Sequence, residues 1–201
     1  MKIGPKYKIC KRLGSPIFEK CQTQQFQVSQ ARSAKSKKRR RGGSEYLRQL
    51  LEKQKLRLTY GLSEKQFRKY VTEALLNHTN PTETLFQLLE SRLDSVIYRM
   101  GLSSTRRAAR QIVSHGHICV NGRRITIPSY QVKTTDTIQI REGSRTTTLF
   151  ANTNEKLADY RFPRWVTFDP GAFEGKMKET PVFADQDGMA DMGAVFEYYT
   201  R

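Results

Sequence analysis

Cysteine is scarce: Cys10, Cys21 and Cys119 are the whole complement in 201 residues. Three scattered thiols cannot build a disulfide framework, which points to a reducing compartment. Long apolar runs are missing too. No stretch approaches the ~20 apolar residues that cross a bilayer, and the N-terminal region holds no apolar core of a secretory leader. Neither membrane residence nor export is expected, and the cytoplasm is the expected location. The chain has no Walker loop, dinucleotide fingerprint or nucleophile elbow, and no internal repeat. The hydrophobic fraction is low, 37%, as for ordered domains carrying a polar tail. Acidic residues are the last shortage, 19 against 36 Lys and Arg, for a net charge of +17. Such a surplus calls for a polyanionic partner, nucleic acid first.

The surplus is unevenly placed. Residues 1–60 hold 17 basic and 3 acidic side chains, residues 61–150 hold 13 and 7, and residues 151–201 hold 6 and 9. Positive charge belongs to the front and middle of the chain. The mildly acidic end is not expected to face a phosphate backbone.

Up to Gly43 there is little apolar periodicity, and the basic run Lys37, Lys38, Arg39, Arg40, Arg41 ends at a Gly-Gly breaker. This segment reads as an extended arm with one short helical turn at most, ordered mainly on a partner. For the basic run the plain alternative is a flexible solubilising tail. Ser44 then caps a helix carrying Leu47, Leu50 and Leu51 and ending at Gly61, and Ser63 caps the next, with Phe67, Val71 and Ala74 on one stripe. Asn80, Pro81 and Glu83 make a strong helix start. Leu85, Leu89, Leu93, Val96 and Met100 keep the 3.6-residue period, predicting one continuous helix that stops at Gly101. Ser103 or Ser104 caps a further helix through Ile112 and Val113 to Gly116. Ile118–Val120, Asn121-Gly122 and Arg124–Ile127 predict a hairpin with a type I′ turn. Strands are expected at 137–141 and, pairing with it, 146–150, followed by a short helix near 154–160 and proline-punctuated loops.

Function concentrates in residues 91–141, which carry 9 basic and 2 acidic side chains. Arg106 and Arg110 are four apart on one helix and share a face, with Arg107 and Gln111 beside them. Ala108, Ala109, Ile112 and Val113 mark the buried side, so the arginines are expected to point outward. His115, His117, Asn121, Arg123 and Arg124 lie on the turns beyond. The two histidines lack an accompanying carboxylate or Cys pair, so polar contacts to RNA at the helix end are expected rather than metal or acid–base chemistry. Asp94 either pairs with a neighbour such as Arg92 or caps local structure. Cys119 reads as a small buried hydrophobe. Planar guanidinium forks meet phosphates bidentately and stack on splayed bases, which suits folded RNA.

Several spaced motifs agree in order with one family. Arg92-Leu93-Asp94, Tyr98-Arg99-Met100-Gly101, Ala109-Arg110-Gln111, Val113-Ser114-His115-Gly116-His117, Val120-Asn121-Gly122 and Ile127-Pro128-Ser129-Tyr130 resemble the RNA-binding domain named after the fourth protein of the small ribosomal subunit. Glu52–Lys55, Tyr60-Gly61, Glu64–Phe67 and Glu197–Arg201 resemble the flanks of that ribosomal protein itself. The resemblance implies an α+β architecture: a mostly helical domain from two chain segments, 44–90 and 151–201, holding the small helix–helix–β-hairpin domain, 91–150, after a basic arm, 1–43. It also implies early, direct binding of small-subunit ribosomal RNA, contacts with neighbouring small-subunit proteins as a monomer within the ribosome, and an influence on decoding accuracy. The expected RNA-contacting side chains are Lys37–Arg41, Lys53, Lys55, Arg57, Lys65, Arg68, Arg92, Arg99, Arg106, Arg107, Arg110, Gln111, His115, His117, Asn121, Arg123 and Arg124.

Some relatives bind zinc through four cysteines in the arm. Here Cys10 and Cys21 stand alone, short of a tetrahedral set, so neither zinc nor another cofactor is expected. Two rivals carry the same small domain. Pseudouridine synthases place their catalytic Asp in an Arg-Leu-Asp context, which Arg92-Leu93-Asp94 mimics; yet the triplet is expected inside a helix, and the residues after 150 are too few for a catalytic domain. Stand-alone accessory factors of ribosome rescue or assembly lack the helical flanks. No enzyme is expected.

Overall fold

The computed structural model describes residues 3–36, 44–77, 79–183 and 190–201. It is an α+β protein whose chain divides into two compact units, 1–82 with 184–201, and 83–183.

In the first unit, α1 (Lys6–Leu13), a single 3-10 turn (Glu19–Cys21) and α2 (Gln24–Ser36) precede α3 (Glu45–Thr59) and α4 (Glu64–Leu75). The expectation of an extended arm is corrected here. Cys10, Phe18, Cys21 and Phe26 close a small core of their own, and Tyr7 stacks on Phe26 with ring centroids 5.6 Å apart. The apolar residues are too irregularly spaced to show a helical period. They meet because the 3-10 turn folds the chain back. Lys37–Arg41 lie outside the described residues.

The caps at Ser44 and Ser63 form as expected, each hydroxyl accepting from the backbone N–H three residues on. The C-terminal helix α10 (Met192–Thr200) packs chiefly on α3 and also on α4. Polar ties hold it there: Arg48 to Asp191 at 2.8 Å, Gln49 Nε2 to Glu197 at 2.8 Å, and the Tyr199 hydroxyl donating to Glu64 at 2.6 Å.

The helix beginning at Pro81 is two helices. α5 (Pro81–Glu90) and α6 (Leu93–Arg99) are separated at Ser91-Arg92, where Arg92 is extended (φ −65°, ψ 138°). Long-range pairing overrides the local period: Val132 N–H donates to the Ser91 carbonyl at 2.8 Å, and Leu93 N–H to the Tyr130 carbonyl at 2.8 Å. Both helices bury their stripe, so the spacing of leucines reads as one. The next helix, α7 (Arg106–Ser114), is capped by Thr105, whose Oγ1 accepts from Ala108 N–H at 3.0 Å, rather than by Ser103 or Ser104.

A five-stranded antiparallel sheet completes the second unit, in the order β2 (Arg123–Ile125), β1 (Ile118–Val120), β3 (Thr137–Ile140), β5 (Glu174–Met177), β4 (Val166–Asp169). Asn121 (φ 50°) and Gly122 (φ 77°) make the hairpin turn their side chains predict. The strand expected at 146–150 does not form; that stretch is a run of turns after α8 (Glu142–Arg145). β3 pairs instead with β5, so residues 151–183, including α9 (Thr153–Ala158), belong to this unit and not to the helical one. Leu93, Val96, Ile97 and Met100 of α6, Ala109, Ile112 and Val113 of α7, and Ile118, Ile138, Ile140, Val166 and Phe168 of the sheet share one core with Trp165. Cys119, between Ile118 and Val120, faces the other way and is only half-buried.

Candidate nucleic-acid interface

Two carboxylates organise the arginines of the second unit. Asp94 is 3% exposed; it accepts from Arg92 Nε and Nη2 at 3.0 and 2.9 Å and from Arg110 Nε and Nη2 at 2.8 and 2.7 Å. Glu90, fully buried, accepts from Arg99 at 2.9 and 2.8 Å and from Arg106 at 2.9 Å. Arg106 also lies 4.5 Å over the Tyr98 ring. A carboxylate this deep is tolerable only with several charged donors, and here each has two.

The outward-pointing arginine face is therefore corrected in part. Arg92 is 2% exposed and sealed inside, and Arg106 and Arg110 reach back to buried carboxylates, leaving 12% and 30% of their side chains exposed. The exposed members of the predicted set in this unit are Arg107, Gln111, His115, Asn121, Arg123 and Arg124. Two of these six have internal duties. Arg124 donates to the carbonyls of Gly116 (3.2 Å) and His115 (3.1 Å), closing the C-terminal end of α7. The arrangement needs a glycine at 116 (φ +72°), because an added Cβ would fall 2.1 Å from Arg124 Nε. Asn121 clamps the hairpin, donating to Asp136 at 2.8 Å and accepting from Thr137 N–H at 2.9 Å. Arg107, Gln111 and His115 remain as a solvent-facing strip, four residues apart along α7 and its C-cap, and Arg123 stands exposed on β2.

His117 is half-buried, with Nδ1 3.0 Å from the Ser144 hydroxyl. Burial first, and then the neighbouring His115, Arg141 and Arg124, push its pKa below the ordinary 6.5. The shift favours the neutral form of the ring.

The first unit sorts its cations the same way. Lys53 is 4% exposed, 2.9 Å from Glu64 and 4.4 Å from the Tyr198 ring centroid; it fixes α10 and α4 to α3 and is too deep to meet a phosphate. Lys55 pairs with Glu52, and Arg57 with Gln54, the Leu62 carbonyl and Glu64. Lys65 and Arg68 stand exposed on α4. Lys69 on α4 and Lys8 and Arg12 on α1 are exposed too and lie outside the predicted set; the four-residue spacings Lys65–Lys69 and Lys8–Arg12 are a readable signal. Among the described residues no group of three or more His, Cys, Asp or Glu is placed to hold a metal, and no helix is long and apolar enough to cross a membrane.

Residues 1–90 match the ribosomal protein S4/S9 N-terminal domain and residues 91–138 the S4 domain. The chain is 41% identical over 207 residues to the small ribosomal subunit protein uS4 of Cupriavidus taiwanensis, covering 98% of both chains. Those of Acidithiobacillus ferrooxidans and Natranaerobius thermophilus are 40% and 39% identical, again over 98% of each. The chain belongs to the ribosomal protein uS4 family. As a uS4-family member it is a structural, rRNA-binding component of the small ribosomal subunit and has no enzymatic activity. At Arg92-Leu93-Asp94 the triplet is not wholly inside a helix as expected, since Arg92 is extended before α6, but the Asp94 carboxylate is held by two arginines. Family membership over nearly the whole length also sets aside the stand-alone accessory factor.

Proposed function

We propose that this protein binds small-subunit ribosomal RNA early and directly at a multi-helix junction, nucleating assembly of the subunit body in the cytoplasmic ribosome. In this reading a mostly helical domain of two chain segments carries the small RNA-binding domain between them, with the basic arm, Lys37–Arg41 included, along the RNA. A single copy contacts neighbouring small-subunit proteins and contributes to decoding accuracy.

The strip Arg107, Gln111 and His115, with Arg123 exposed on β2, is the observation that supports it best: solvent-facing donors on the segment that matches the S4 domain. The partly exposed edges of Arg99, Arg106 and Arg110 add to the field there, already held in place by Glu90 and Asp94, so little side-chain entropy is lost on binding. Lys65 and Arg68 supply a second basic surface on the first unit. Sequence is not read from an A-form major groove, which is too narrow for side chains; the shape of the folded junction supplies specificity.

The test is binding to the 5′ domain of small-subunit ribosomal RNA, against structured RNA of equal length and duplex DNA, across a salt series. A preference for the ribosomal domain that persists at high salt supports the proposal. Equal binding to all three that vanishes with salt overturns it.

A further inference from the structure

We propose that the groove between the Gly101–Thr105 loop, α7 and the turn after α7 receives one unpaired base of the bound RNA. The inference rests on the RNA-binding reading above and adds a ligand subsite to it. The groove encloses about 450 Å³ and is lined by the apolar side chains Ala108, Ile112 and Leu149 and by Gln111, His115 and His117. None of its described lining residues bears a carboxylate. Leu149 keeps 43% of its surface exposed at the edge, an apolar side chain left uncovered beside the basic strip.

The chemistry of the walls selects the occupant. A nucleobase has flat π faces and a polar edge, and splayed bases stack on aromatic rings, histidine included. The two imidazoles lie with centroids 6.0 Å apart at 53°. His117 is held by Ser144 on one side and packs edge-on against Phe150 at 6.1 Å and 70° on the other. It is a ring fixed by a hydrogen bond and an edge contact, as a stacking platform requires. The Gln111 amide offers both a donor and acceptors to a base edge. Arg107, exposed one turn before it, stands where the phosphate of the same nucleotide would run. A base inside a duplex cannot enter, because its faces and pairing edge are already occupied. This complementarity, an exposed Arg107 next in sequence to the lining residue Ala108 and no carboxylate among the described lining residues, favours a strand of RNA over an apolar peptide.

The test uses the full chain and two hairpins of identical stem, one carrying a single 2-aminopurine bulge and one fully paired. Wild type is expected to bind the bulged hairpin about tenfold more tightly, the usual scale of one base–aromatic stack, with a change in 2-aminopurine emission on binding. Ala108→Phe, which fills the groove, and Leu149→Ser, which removes an exposed apolar wall and leaves the core untouched, are expected to erase that preference while preserving affinity for the paired hairpin and its salt dependence. Equal affinity of wild type for both hairpins overturns the groove and leaves the RNA-binding reading standing, as does a preference that survives in both variants. No binding to either hairpin at low salt overturns that reading itself, and the groove with it. Full competition by 2-aminopurine riboside overturns the assignment to an RNA strand in favour of a free nucleoside.

Discussion

Glu90 and Asp94 show how much a single buried carboxylate constrains its neighbourhood. Each is closed to water and each is held by two guanidinium groups: Arg99 of α6 and Arg106 of α7 on Glu90, and Arg92, just before α6, and Arg110 of α7 on Asp94. Removing either carboxylate charge strands two arginines. Asp94→Asn and Glu90→Gln are therefore expected to cost about 3–5 kcal/mol each, the scale for breaking a buried pair from one side, read as a lower urea midpoint. Arg107→Ala behaves in the opposite way. Its side chain is exposed, so stability is expected to stay within about 0.5 kcal/mol while RNA affinity falls. Equal stability losses in Arg107→Ala and Asp94→Asn would overturn this division of labour. The sequence spacing of Arg106, Arg107 and Arg110 is legible as one cationic helix turn. Which of them is held by a carboxylate is not, because Glu90 and Asp94 lie 16 positions away from their partners.

Elements whose signals are local formed where the sequence places them: the serine caps of α3 and α4, the Asn-Gly turn, and the start at Pro81. Those that depend on remote partners did not. The break at Arg92 answers to residues 130–132, and the pairing of β3 to a strand beyond residue 173. The N-terminal segment is the clearest case. Its small core of Cys10, Phe18, Cys21 and Phe26 gives the two thiols a packing role, and burial drives the Cys21 pKa up to about 12. A thiol kept protonated is a poor metal ligand. Treatment with a zinc chelator is expected to leave the melting temperature of the purified protein unchanged; a drop of several degrees would restore the metal reading. Phe26→Ala, by contrast, is expected to raise amide exchange throughout 6–36 and leave the sheet protected, since α1 and α2 share that ring and the second unit does not.

At the scale of the whole molecule, charge decides both partner and pH response. Binding to RNA is expected to weaken linearly in a log–log salt plot, and Arg107→Ala with Arg123→Ala to flatten the slope by about 0.7–0.9 per lost phosphate contact; an unchanged slope and affinity would remove this strip from the interface. Acid acts on the fold. Burial works against the Glu64 charge, yet hydrogen bonds from Lys53 and Tyr199 carry its pKa below the ordinary 4.5. A lowered carboxylate pKa stabilises the fold above the unfolded value, and that contribution is lost as pH falls below 4.5 through the folded one. Wild type is therefore expected to lose part of its stability over that acid range. Glu64→Gln is expected to be less stable than wild type at pH 7, with the gap closing in acid; a constant gap would show that the carboxylate's charge is not the cause.

The sequence by itself determined the family, the sign and placement of the charge, the caps and the hairpin turn, because composition, motif order and local backbone preference are properties of neighbouring residues. The tertiary structure decided which cations remain exposed toward solvent, where the helix at Pro81 breaks, what β3 pairs with, and that a groove opens beside α7. Burial of a charge and closure of a sheet depend on groups brought together from distant parts of the chain, and only folding places Asp94 against Arg110 or Glu174 against Gln139.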